Sequence, residues 1–169
     1  MNRKLKGVKR LERVVNKFLK QFGLKSAFAV EFYYLPEKKK VAFSFLKPPN
    51  DDWFMEYFNS LAPDIDCDSF LASLMHEVGH HMTYNDFDDE DWEQDYLYRN
   101  MLEAKGTAIS NKDINFEYFN LPTERAATEW AIEYIHANVE QLRVFWANML
   151  RTIKWFYNIN YVEGEDCGC

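Results

Sequence analysis

A chain of 169 residues, 47 % apolar and 17 % aromatic, can bury one sizeable core, and nothing in this composition suggests disorder. A formal charge of −7 repels a polyanion over most of the surface, which argues against nucleic acid as a partner. No run of about eighteen apolar residues is present, so no membrane span is expected.

The basic start, Met1 to Lys6, runs into Lys9, Arg10, Glu12 and Arg13 instead of the apolar region of a signal peptide, and a cytoplasmic protein is expected. Cysteine usage agrees. Cys67 is isolated and Cys167-Gly168-Cys169 closes the chain, which is no disulfide framework.

Residues 3–22 place Leu5, Val8, Leu11, Val15, Phe18, Leu19 and Phe22 at steps of mostly three and four, predicting an amphipathic helix closed by Gly23. Two aromatic and β-branched runs follow, Ala27 to Leu35 and Val41 to Leu46, joined by Pro36-Glu37-Lys38-Lys39-Lys40. They predict two antiparallel strands with a polar loop, the second ended by Pro48 and Pro49. Asp51 or Asp52 is placed to cap a short helix through Trp53, Phe54, Tyr57 and Phe58 that stops before Pro63.

A helix is predicted over 66–84, with Asp66, Asp68 or Ser69 in its cap or first turn. Leu71, Leu74, Met75, Val78 and Met82 recur at i, i+3, i+4, i+7 and i+11, a stripe of core-facing period. The acidic stretch Asn85 to Asp91 reads as a loop, 92–105 as helix, and Gly106-Thr107 as a break. Ser110 to Phe119 is ambiguous between short strand and loop.

Pro122-Thr123-Glu124 opens a further helix through Ala126, Ala127, Trp130, Ala131, Tyr134 and Ile135. Leu142 to Tyr157 continues the period to about residue 158, with an optional break near Asn138. Residues 1–160 therefore read as one mostly helical α+β domain with a small antiparallel hairpin, and 161–169 as a solvated tail.

Charge is unevenly spread. Residues 1–25 carry nine basic side chains against Glu12, whereas 86–95 hold Asp86, Asp88, Asp89, Glu90, Asp91, Glu93 and Asp95 with no base. A solvated basic helix face, one that could meet the protein's own acidic stretch, is preferred over a DNA-binding helix.

The chemistry sits in His76-Glu77-Val78-Gly79-His80, an H-E-x-x-H run inside the 66–84 helix. Positions four apart return to one side of a helix a turn later, so His76 and His80 can grip one zinc ion. His76 lies about 140° from Leu71 on the wheel, which points the imidazoles away from the apolar stripe and toward a cleft. Glu77, beside the first ligand, is placed to accept a proton from the water that zinc activates. Gly79 costs about 1 kcal/mol against alanine in a helix, so either something passes close to the backbone there or the cost is tolerated.

A catalytic zinc needs a third protein ligand. Asp86 stands six residues after His80, where one class of zinc peptidases takes its ligand, but Thr83 replaces the glycine that turns the chain there. Glu124, just past Pro122, has a carboxylate clear of the stripe of its helix. Glu129 and Glu133 lie about 140° and 180° around that wheel from Glu124, so at most one of the three can face the ion. Glu124 is preferred, with Asp86 and Glu129 open.

His-Glu-Val-Gly-His followed by Glu124-Arg125-Ala126-Ala127-Thr128-Glu129-Trp130-Ala131 resembles the ImmA/IrrE-type metallopeptidases, minimal gluzincins whose third ligand opens an E-x-x-A helix segment. The resemblance spans about residues 65–135. It implies a small zincin-like domain with Glu124 as the third ligand and Thr128 in the place of a polar group that supports a ligand from behind. Such proteins are typical of phages and mobile elements, where they act on a regulatory protein. The chain departs from the pattern at Thr128, where an amide or acid is usual, and in its long aromatic C-terminal helix.

The expected activity is zinc-dependent hydrolysis of a peptide bond, with Glu77 as the base and a protein or peptide as substrate. Tyr134, His136, Tyr157 and Arg125 are candidates for an oxyanion donor, none of them preferred. His81, about 100° from His80, is expected to support the site from outside or to be exposed. The alternative is a zincin-shaped binding protein with a structural zinc. The sequence does not indicate an oligomeric state.

Overall fold

The computed structural model describes residues 3–29, 32–43, 52–104 and 112–160, and of these the side chains outside 3–7, 28, 52, 102–104, 112–115 and 154–160. The prolines expected to end the second strand, the Gly106-Thr107 break, the Tyr157 side chain and the tail with Cys167 and Cys169 lie outside the described residues.

Helix α1 (Arg3–Leu19) runs into a 3-10 turn, Lys20–Phe22, and Gly23 ends it at φ 73°, a left-handed conformation that is free of strain only for glycine. Its buried stripe of Leu11, Val15, Phe18 and Leu19 packs on α7 (Val139–Asn160), with Phe18 stacked on Phe145 at 4.1 Å between centroids. Lys9, Arg10, Arg13, Lys17 and Lys20 are exposed.

Three strands follow: β1 (Lys25–Phe28), β2 (Tyr33–Leu35) and β3 (Lys40–Phe43), in the order β1-β3-β2. The expected antiparallel pair is present as β2 and β3, joined by a 3-10 turn at Pro36–Lys38. The first apolar run, however, is divided, and its earlier part pairs parallel with β3, Lys25 opposite Lys40 and Phe28 opposite Phe43. The sheet is mixed instead of antiparallel. Burial accounts for this: Val41, Ala42 and Phe43 are fully enclosed, so β3 takes the centre, where both of its edges are hydrogen-bonded.

Helix α2 (Asp52–Leu61) buries Phe54, Tyr57 and Phe58. Helix α3 (Ser69–Met82) is started by Asp68, whose carboxylate accepts from the Phe70 amide at 2.9 Å, and α2, β2, β3 and α6 (Pro122–Ala137) all pack on it. Every residue from Leu71 to His80 is buried. The imidazole side of the helix faces α6, where His76 meets Thr128 and Glu124.

Two stretches differ from expectation. Asp89–Asp91 are not loop but the first turn of α4 (Asp89–Ala104). Asp88 accepts from the amides of Glu90 at 2.9 Å and Asp91 at 3.0 Å, and acids at a helix N-terminus are favoured by its dipole. Residues 112–119 form helix α5 (Lys112–Phe119), neither strand nor loop, with Phe116 and Phe119 packed on Tyr57.

The break near Asn138 is real: its side chain caps the Tyr134 carbonyl at 2.9 Å and separates α6 from α7. Among the described residues, helix α4 packs chiefly on α6 and α5, and α1 chiefly on α7 and β1.

Candidate metal centre

His76 and His80 stand one turn apart on α3, their ring centroids 4.6 Å apart. Glu124 enters from the first turn of α6, and its Oε2 lies 3.0 Å from Nε2 of His76 and 3.4 Å from Nε2 of His80. One donor atom from each of the three falls within 4.8 Å of the others, an arrangement that could hold a metal ion. His76, His80 and Glu124 are exposed by only 6, 7 and 8 %, so no bulk solvent separates the donors.

Close helix approach creates this meeting. Gly79 lies against the α6 backbone, where a Cβ would stand 2.8 Å from the carbonyl carbon of Ala127 and 2.9 Å from its Cα. The helices touch between the His76–His80 turn and the Glu124–Thr128 turn. The cost of glycine in α3 thus has a cause: it lets the α6 backbone come near enough for a short carboxylate to reach both imidazoles.

Hydrogen bonding sets the His76 tautomer. The Thr128 hydroxyl donates to the Glu124 carbonyl at 3.0 Å, so its oxygen is an acceptor for Nδ1–H of His76, also at 3.0 Å. Nε2 of His76 is then left with a lone pair aimed at Oε2. Two acceptors 3.0 Å apart need a cation between them, either a proton or a metal ion. Nδ1 of His80 is buried and has no hydrogen-bond partner among the described residues.

Electrostatics agree with a cation cradle. Burial pushes the Glu124 carboxyl up, but the facing imidazoles outweigh it and hold the group well below the usual carboxylate range. Burial pushes His80 down, Glu124 pushes it up, and the outcome is about 8. His80 therefore keeps its proton at neutral pH in the metal-free protein. Glu77 is enclosed next to these residues, and burial raises its carboxyl above the ordinary value although both imidazoles oppose the shift.

Residues that the sequence did not single out complete the surroundings. The Tyr118 hydroxyl, from the end of α5, donates to Oε1 of Glu124 at 2.5 Å. Asp95 on α4 is buried and accepts from both the amide and the hydroxyl of Thr123, which ties α4 to the start of α6. The Trp92 ring lies 6.0 Å from that of His80. Helical phase could have marked Asp95: it shares a face of α4 with Trp92 and Arg99, at i−3 and i+4. Nothing in the sequence separates Tyr118 from the other tyrosines.

The other candidates lie elsewhere. Asp86 is exposed in a 3-10 turn, because Thr83 caps the Gly79 carbonyl with its amide and hydroxyl at 2.9 and 3.0 Å and does not turn the chain back. Glu129 pairs with Arg125 at 2.7 Å on the outer face of α6, and Glu133 is exposed.

Tyr134 bonds Gln21 and Gln141, and His136 faces Asp64 at 3.2 Å, so neither joins the cluster. His81 neither supports the site nor is fully exposed. It accepts from the Tyr34 hydroxyl at 2.6 Å and donates through Nε2 to the Phe22 carbonyl at 3.1 Å, clipping α3 to β2 and the end of α1.

No family model matches the chain, and no curated protein or solved structure matches it. No helix among the described residues is long and apolar enough to cross a membrane.

Proposed function

We propose that this chain is a zinc-dependent peptidase of zincin type, with His76, His80 and Glu124 as ligands and Glu77 as the proton carrier. One observation carries the reading: two imidazole Nε2 atoms and a carboxylate oxygen of three buried residues converge, with a second, enclosed carboxylate beside them. Two nitrogens and one carboxylate oxygen form a donor set suited to a borderline-soft ion such as zinc, and three protein ligands are the number found in catalytic zinc sites.

When bound, zinc supplies a Lewis acid for a carbonyl and acidifies water toward neutral pH. Glu77 takes a proton from the attacking water onto its carboxylate and returns it to the departing amine nitrogen. Its raised carboxyl moves it toward the near-neutral range in which a general base both accepts and gives back a proton. Thr128 keeps Nδ1 of His76 as the protonated nitrogen, so that Nε2 stays free to bind. The resemblance of His76 to His80 and Glu124 to Ala131 to the ImmA/IrrE-type enzymes points the same way, with a regulatory protein as the substrate class.

The enclosure of all three ligands favours a second reading, a structural zinc in a zincin-shaped binding protein. Glu77→Gln separates the two. The variant keeps the shape of the site, so a peptidase retains zinc and loses cleavage of a peptide library by about a hundredfold or more. Wild type that binds zinc yet cleaves nothing supports the structural reading, and cleavage unchanged in Glu77→Gln excludes Glu77 as the base.

A further inference from the structure

The two oxygens of Glu124 have separate partners. Oε2 faces both imidazoles, at 3.0 and 3.4 Å, whereas Oε1 is engaged by the Tyr118 hydroxyl at 2.5 Å. A carboxylate left to itself can wrap a cation with both oxygens. We propose that Tyr118 is a positioning residue that holds Glu124 as a one-oxygen ligand, so that a coordination position stays open for substrate or water. This rests on the metal reading of His76, His80 and Glu124.

Geometry gives the proposal its direction. Tyr118 stands near the end of α5, six residues before Glu124, and the intervening turn is fixed by the Leu121 amide donating to the Tyr118 carbonyl at 3.0 Å. The Arg125 amide donates to the Leu121 carbonyl at 2.8 Å, which starts α6. Both ends of the Tyr118–Glu124 bond are therefore set by one short backbone path.

The ring is held as well, edge-on to Phe119 at 5.3 Å. Burial and the neighbouring carboxylate keep the hydroxyl protonated, so it is a donor throughout the neutral range. A permanent donor on Oε1 makes that oxygen the weaker metal donor and biases the carboxylate toward coordination through Oε2 alone.

The parallel with Thr128 is informative. Thr128 orients one ligand, His76, and Tyr118 orients another, Glu124. A closed structural site wants four protein ligands, and a carboxylate bound through both oxygens would help to fill the shell. A donor spent on Oε1 works against that filling, so the bond is expected in a site that keeps a place for substrate.

The test uses zinc-loaded full-length protein and reads coordination, not activity. A crystal structure of the zinc-loaded wild type should place Oε2 of Glu124 at about 2.0–2.2 Å from the ion and leave Oε1 outside the shell, on Tyr118. Tyr118→Phe keeps the ring and removes the donor. It should gain a second carboxylate oxygen in the zinc shell, with Oε1 as well as Oε2 bound to the ion.

Wild type chelated by both Glu124 oxygens overturns the proposal, and so does Tyr118→Phe with an unchanged shell, while the metal centre stands in both cases. No zinc uptake by wild type removes the centre and the proposal together. Should Tyr118→Phe fail to fold, the two zinc–oxygen distances of Glu124 in the wild-type crystal structure alone decide between one oxygen and two.

Discussion

Gly79 and Ala127 set the distance between the two helices that carry the ligands: a Cβ at position 79 would lie 2.8 Å from the Ala127 carbonyl carbon. Because the obstacle is backbone, no side-chain rotation relieves it. Alanine at this position raises helix propensity by about 1 kcal/mol, but overpacking a buried contact costs about 1–3 kcal/mol and forces α3 and α6 apart. Gly79→Ala is expected to lower the urea midpoint and weaken zinc binding together. A variant more stable than wild type, with full zinc affinity, contradicts this account of the glycine.

Thr128 acts on His76 from behind. Thr128→Val keeps the volume but removes the acceptor for Nδ1–H, so zinc affinity should fall about 10–100-fold, whereas Thr128→Ser should stay close to wild type. Competition against a chromophoric chelator measures both. Equal affinities for Val and Ser would mean that the 3.0 Å contact does not orient the imidazole.

The pH dependence follows from His80 and Glu124. His80 titrates near 8 in the metal-free fold against 6.5 in an unfolded chain, so its contribution to stability is complete below 6.5 and is lost as pH rises through 8. Glu124 is depressed, so its contribution is present above the ordinary 4.5 and is lost as pH falls below it. Metal must displace the His80 proton. Zinc affinity is therefore predicted to climb with pH from 6.5 to 8 and then level off, with proton release on binding at neutral pH. Calorimetry in buffers of different ionisation enthalpy counts that proton, and a flat profile with none released contradicts the assignment.

Cys67 offers a check away from the site. Burial pushes its thiol up to about 12, with Asp68 and Asp66 adding to the effect, so hardly any thiolate exists at neutral pH. Iodoacetamide should label the Cys67 peptide slowly in the native protein and rapidly in urea, read by mass spectrometry. Rapid native labelling would place the thiol in solvent.

Local features of the chain were legible, and features that depend on distant partners were not. The Leu71 to Met82 stripe and the His76–His80 spacing are properties of one helix, and α3 has them. The wheel of α6 made Glu124 eligible, but only the approach of Gly79 to Ala127 brings its carboxylate to the imidazoles.

The acidic run 86–91 was read by charge alone, which overlooked that Asp88 caps a helix whose first turn favours acids. The run from Ala27 to Leu35 contains no turn residue, so its division between two strands could not be seen. Parallel pairing with β3 decided it. Tyr118 matters through a single bond to a residue on the next helix, which no periodicity records.

The central claim is that one divalent cation sits among His76, His80 and Glu124. Zinc content of protein purified and dialysed after exposure to excess Zn²⁺ tests it most directly, set beside His76→Ala and Glu124→Ala. The account predicts one ion per wild-type chain, lost or held far more weakly in both variants. Wild type that retains no zinc, or variants that retain as much as wild type, would contradict it.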